Sequence, residues 1–320
     1  MRLLRAASVR MLMALLPIFA MAAIVGAAAA PPAGAAGQPG WPKTLVLGEV
    51  GQENATSLLQ GFAPISALIK KQLGITIQAY AGTSYAAMIE AQKAGKAQLV
   101  EYGPFSYVIA LNQGLKIENL ALPITAPGTN GGYYSEAVVN PANSPAITSL
   151  KQAAGTKVCF SDPASTSGYL YPSYGLLQVG ISPTTGVTPV FSGTDSTTAL
   201  DAYQGSCQIG FTNNLSLPTV FSANHVPTTG LKVIWKSVEI PASPLVASKS
   251  LPASLRSALS TLLVKDANAP YLVKHHYCTS VSQCETVTGG QWGYASPSLA
   301  NYSQITTICK VTKSPSCSVS

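Results

Sequence analysis

Three hydroxyls in a row, Ser165, Thr166 and Ser167, stand directly before Gly168 in the stretch Ser-Asp-Pro-Ala-Ser-Thr-Ser-Gly-Tyr-Leu, residues 161–170. The chemistry this suits is the binding of an anion without a formal positive charge. The first turn of a helix carries unpaired N–H groups and a partial positive charge. Hydroxyls add donors there, and a glycine lets the backbone approach a ligand closely. The same residues also read as an ordinary Ser/Thr helix cap. A third reading makes Ser165 or Ser167 a nucleophile. That requires a base, and the chain has no G-x-S-x-G elbow, while His225, His275 and His276 lie far downstream in ordinary surroundings. Tyr102 is a further candidate contact, because it ends an apolar run just before Gly103-Pro104. Glu53 and Asp195 sit in loops of the same kind. They repel an anion, hold an amino group on it, or cap helices.

The elements that must position these residues alternate. Thr44–Val50 reads as a strand, followed by a helical region over Ala55–Leu73 that Pro64 kinks or splits. Ile75–Ala79 is a second strand, and Thr83 and Ser84 can cap a helix over Tyr85–Ala94. Ala97–Glu101 is a third strand, followed by a helix to Gln113. Such alternation with short turns implies a parallel α/β sheet. Ligands of such sheets sit beyond the carboxyl ends of the strands, here at loops 51–54, 81–85 and 102–105. The pattern restarts with strands at Ala137–Asn140, Thr156–Phe160, Thr188–Ser192 and Cys207–Phe211, and helices over Tyr169–Val179 and Thr197–Tyr203. The expectation is two α/β lobes with facing strand ends. Residues 43–132 form the first and 133–238 the second, and 239–320 return to the first. The chain crosses near Gly132–Tyr133 and comes back near Val238–Pro241. A late helix covers Leu251–Val264, and the tail after Ala269 reads as irregular.

Composition narrows the function classes. Hydrophobic residues make up 47% of the 320, enough for a sizeable core, and charged residues only 10%. Arg2, Arg5 and Arg10 contribute three of the basic residues, so the formal surplus of +7 is +4 without them. The remaining charge is spread thinly with no basic, aromatic-rich cluster, which argues against nucleic acid as a partner. Residues 1–30 read as an export signal: a basic start, an apolar run over Met11–Ala30, and small residues at its end. Uncleaved, that run is long enough to span a bilayer. Residues 31–42 read as a flexible linker. No Cys precedes Cys159, so a lipid-acylation site is not expected. The six cysteines of an exported chain suggest disulfides. Six allow 15 connectivities; the expected pairs are Cys159–Cys207, Cys278–Cys284 and Cys309–Cys317. The rival is a zinc site using Cys278, Cys284 and the His275-His276 pair.

Several runs then coincide: LVLGEVGQENA, AGTSYAAMIEAQKAGKAQLVEYGPFSYVIA, FSDPASTSGYLYP, FSGTDSTTALDAYQG and EIPASPLVAS. Together they resemble the phosphate, phosphite and phosphonate-binding proteins of ABC importers, over about Thr44–Val264. The resemblance implies a two-lobe periplasmic-binding-protein-like fold of type II that clamps an oxyanion between its lobes. It implies that Tyr102 reaches the anion, that Ser165, Thr166 and Ser167 donate from the second lobe, and that Tyr85 lines the cleft. Family members commonly carry a His where this chain has Thr194, which keeps a donor but loses a positive charge.

The expected function is therefore an exported solute-binding protein that closes on a phosphonate, phosphite or phosphate-like oxyanion and presents it to a membrane permease. It needs no cofactor or metal, performs no reaction and acts as a monomer. A secreted serine-dependent hydrolase and a ligand-free interaction protein on the same fold are the alternatives.

Overall fold

A computed structural model describes residues 38–317 except 51–54, 145 and 289. The expected export signal, the first part of the linker and Glu53 lie outside the described residues. Strand β1 (Thr44–Val50) leads into helices α1 (Ala55–Gly61) and α2 (Ala63–Leu73), divided next to Pro64. Then come β2 (Thr76–Gly82), α3 (Tyr85–Lys93), β3 (Leu99–Glu101), α4 (Pro104–Asn112) and β4 (Ile117–Ile124). A second set follows: β5 (Ser135–Val139), β6 (Lys157–Phe160), α5 (Tyr171–Gln178), β7 (Thr188–Phe191), α6 (Asp195–Gln204), β8 (Ile209–Asn213), α7 (Leu217–Ala223) and β9 (Lys232–Lys236). The chain ends with β10 (Leu245–Ser248), α8 (Ala253–Asp266), α9 (Ala269–Lys274), α10 (Val281–Val287), β11 (Gly293–Ala295) and α11 (Ser303–Thr312).

These strands form two sheets. The first has the order β11-β4-β10-β3-β1-β2 and the second β7-β6-β8-β5-β9. Each is a two-sided layer whose helices bury it, as the alternating apolar runs require. In the first sheet Leu45 and Leu47 face α2 and α8, while Val100 packs with Met88 and Ile109 on the other side. Phe160 and Phe211 stack in the second, with ring centroids 5.4 Å apart.

The expected parallel sheets are in fact mixed. β1 runs parallel to β2 and β3, and β6 parallel to β7 and β8. β10 is antiparallel to β3 and β4, and β5 to β8 and β9. The antiparallel members enter where the chain passes between sheets, so they need no covering crossover helix. The tail is not irregular: α9, α10 and α11 occupy much of it, and β11 pairs with β4. The cysteines are bonded as Cys159–Cys207, Cys278–Cys284 and Cys309–Cys317, so neither thiol of the zinc alternative is free. Between the sheets the outgoing and returning chains share one isolated backbone bridge. Tyr133 N–H donates to Ile240 O at 3.1 Å, and Ile240 N–H returns to Tyr133 O at 2.8 Å.

Candidate functional site

The site grows from the carboxyl end of β6. Its buried run ends at Phe160, and the chain turns through Ser161 and Asp162, whose carboxylate accepts the Ala164 N–H at 2.7 Å. Ser165 takes extended backbone and its hydroxyl accepts the Gly168 N–H at 3.0 Å, the bond of a helix cap. Leu170 N–H reaches five residues back to Ser165 O at 3.0 Å. The helical segment thus opens with a π turn over Thr166–Leu170 before α5 begins, a geometry recurrent at functional sites. Ser165, Thr166 and Ser167 are all buried. Gly168 is required: a Cβ there would fall 1.7 Å from Ser161 Oγ and 2.6 Å from Asp195 Oδ1.

Groups from the first sheet meet this cradle. Phe105 N–H, in the first turn of α4, donates to Thr166 Oγ1 at 2.9 Å. Gly103 abuts the same hydroxyl, with 3.0 Å left for a Cβ. Tyr85 opens α3, and its hydroxyl lies beside Ser165 while its backbone N–H lies near enough to Asp162 to favour the carboxylate. The Tyr133 hydroxyl, at the crossing point, lies beside Thr166, Ser167 and Ser243, near enough for their hydroxyls to favour its ionised form. Burial pushes the phenol pKa of both Tyr85 and Tyr133 up, and the charge of Asp195 adds to it, so both remain neutral donors.

Asp195 is the formal charge that acts most strongly on both tyrosines. It starts α6 behind the cap Thr194, whose hydroxyl accepts the Thr197 N–H at 3.0 Å. Ser167 Oγ and Asn213 Nδ2 both donate to Asp195 Oδ2, at 2.6 and 2.7 Å. Oδ1 is buried without a well-formed hydrogen bond, as is the neighbouring Ser161 Oγ, although Ser161 lies close enough to favour the carboxylate. Burial raises the Asp195 pKa, and Ser167, Asn213 and Ser161 pull it part of the way back. No Lys or Arg occurs in loops 51–54, 81–85, 102–105, 161–169 or 193–196.

The structure therefore brings Tyr85, Ser165, Thr166, Ser167 and Asp195 together. Thr194 sits beside them with its hydroxyl engaged in the cap. Tyr102 is different: it is buried and its hydroxyl donates to Gln92 Oε1 at 2.9 Å, within the first sheet's own layers. Tyr133, Asn213, Ser161 and Asp162 were not singled out as ligand contacts from sequence. Tyr133 follows two glycines at the expected crossing, and Asn213 ends β8 as Asp195 follows β7, so strand-end position was the available signal.

A family profile described as ABC transporter, phosphonate, periplasmic substrate-binding protein matches residues 47–274. The phosphate-import protein PhnD of Mycolicibacterium smegmatis is 31% identical over 286 residues, which is 87% of this chain and 88% of that one. The phosphonates-binding periplasmic protein of Escherichia coli is 25% identical over 71% of this chain and 68% of its own length. In fold, the chain is similar to PhnD1 of Prochlorococcus marinus, solved in complex with methylphosphonate. The TM-score is 0.71 at 22% identity, covering 85% of this chain and 99% of that one. The two-lobe α/β architecture is that of the periplasmic binding proteins, and the chain belongs to the phosphonate-binding family of periplasmic substrate-binding proteins of ABC transporters.

Proposed function

We propose that this chain captures a tetrahedral phosphorus oxyanion, of the phosphonate, phosphite or phosphate class, between its two sheets and delivers it to an ABC permease. The observation that carries this is the convergence on Ser165–Ser167 of neutral donors: Tyr85 and the first turn of α4 from the opposite sheet, and Tyr133 from the crossing point. A dehydrated anion is well served by hydroxyls and helix-start N–H groups that are already aimed. The named relatives, a phosphate importer and phosphonate binders, support the ligand class.

The lobes are residues 43–132 with 239–320, and 133–238. Closure turns about the Tyr133–Ile240 pair, the narrow link between the sheets. The anion docks on Ser165–Ser167 and displaces the direct contacts from Tyr85 and Phe105, which then bond to its oxygens. Asp195 takes a ligand oxygen that still carries a proton. Tyr102 supports the site from behind through Gln92. The chain acts outside the cytoplasm, as a monomer, and without turnover. Ser165 accepts from Gly168 and Ser167 donates to Asp195, and among the described hydrogen bonds no histidine serves them as a base.

A thermal-shift series with phosphate, phosphite, methylphosphonate, aminoethylphosphonate and sulfate tests this. A ligand at a hundred times its Kd stabilises by about 2.7 kcal/mol. At least one phosphorus oxyanion should raise the melting temperature, and sulfate should not. No shift with any of them would overturn the reading.

A further inference from the structure

We infer that the C-terminal helix α11 is a strap that holds the lobes closed, and that Tyr171 and Gln304 are positioning residues for ligand binding although neither touches the ligand. The inference rests on hinge closure as the mode of capture.

Helix α11 lies across the junction of the two sheets' layers. Ile305 and Ile308 are buried in one apolar cluster with Phe105 and Ile109 of α4 and with Leu170 and Tyr171 at the start of α5. The helix is fastened on both sides. Tyr171 donates its hydroxyl to Gln304 Oε1 at 2.9 Å, a link to the second sheet's layer. Tyr302, just before α11, donates to Ala242 O at 3.0 Å and stacks obliquely on Tyr107 of α4, ring centroids 5.1 Å apart, a link to the first. The Cys309–Cys317 bridge ties the following chain back to the end of the helix.

Both helices beneath the strap begin at the cradle. α4 starts one residue after Gly103, which abuts Thr166, and α5 continues the cradle's own turn. Separating the lobes must therefore change the α4–α5 spacing that α11 spans. One fastening then has to break. The Tyr171–Gln304 bond is the single polar link on the second side among the described hydrogen bonds of α11. Energy held in that bond favours the closed form, and a ligand that binds the closed form gains by it whatever its chemistry.

The test uses the exported full chain, with calorimetry for methylphosphonate and phosphite and small-angle X-ray scattering with and without methylphosphonate. Losing one neutral hydrogen bond should weaken both ligands by the same factor, roughly three- to tenfold. Tyr171→Phe and Gln304→Met should each do this and enlarge the radius of gyration of the liganded protein at sub-saturating ligand. Gln304→Glu keeps the acceptor and should bind as the unaltered chain does. A merely structural bond would lower the melting temperature with no change in affinity or scattering. If the unaltered protein contracts on methylphosphonate and both variants bind as tightly as it does, the strap is overturned and hinge closure stands. If the unaltered protein binds but does not contract, hinge closure itself fails, and the strap with it.

Discussion

Replacing Asp195 with Asn should abolish the protein's preference for protonated over fully ionised anions. In the structure Oδ2 accepts from two donors, Ser167 Oγ and Asn213 Nδ2, while Oδ1 is left without a good partner. An Asn side chain placed here keeps its carbonyl toward those two donors, because the opposite orientation would set its NH2 group against the NH2 of Asn213. The amide NH2 then takes the place of Oδ1. A position that accepts a proton from the ligand becomes one that donates. A hydrogen bond to a charged group contributes about 1.5–3 kcal/mol, so the acceptor should favour a proton-bearing oxygen by roughly ten- to a hundredfold. Methylphosphonate and methanesulfonate make a matched pair, since they share a shape and only the phosphonate holds a proton near neutrality. Calorimetry at one pH below the second ionisation of methylphosphonate should show the unaltered chain rejecting methanesulfonate by at least that factor. Asp195→Asn should bring the two ligands to near parity and weaken the decline in methylphosphonate affinity as pH rises. The fold should survive, because a buried carboxylate is being neutralised. A variant that still discriminates as sharply as the original would show that Asp195 does not face the ligand's proton.

Three further outcomes follow from the same geometry. Thr166→Val removes the acceptor of the Phe105 N–H and a donor to the anion; calorimetry should show a ten- to hundredfold loss of phosphorus oxyanion affinity, about 1.5–3 kcal/mol, with the fold retained. Gly168→Ala forces a methyl group against Ser161 and Asp195, so it should lower the melting temperature and displace the carboxylate; unchanged stability and affinity would contradict the packing described. Glu101, half-buried beside Glu49, has its pKa pushed up from 4.5 to about 8 by desolvation first and by the second carboxylate next. The folded chain therefore holds a proton between those values that the unfolded chain has released. Stability should fall as pH rises through that window, and Glu101→Gln should flatten the fall in chemical denaturation curves.

Much of this fold was legible because its parallel strands are short apolar runs closed by capping residues. β1, β6 and α3 show the pattern, with Ser84 accepting the Ala87 N–H where a cap was read. What escaped was less hydrophobic or less regular. β4 contains Glu118, Asn119 and Pro123, which mask its pairing, yet it is bonded to a strand on each side in the first sheet. α11 is rich in Thr, Ile and Val, poor helix formers alone, and packing of Ile305 and Ile308 decides its state. In the site, the Ser165–Ser167 run declared itself through its hydroxyls. Tyr133 did not, because a tyrosine among fourteen acquires meaning only when the sheets bring it to Thr166. Tyr102 shows the converse. Its place at a strand end suggested an outward-facing hydroxyl, but the side chain turns back to Gln92.

The cation-free loops also bear on speed. An oxyanion approaching this site meets no attracting side-chain charge in those loops, and the carboxylates it does approach, Asp162 and Asp195, repel it. Charged clefts accelerate encounter by focusing their ligands, and that aid is lacking here. Association should run at an unsteered rate and should rise slightly as added electrolyte screens the repulsion, opposite to the behaviour of a lysine- or arginine-lined anion trap. Tight capture must then come from slow release, so scavenging of a scarce nutrient would depend on how long each molecule is held and on how many copies of the protein face the medium.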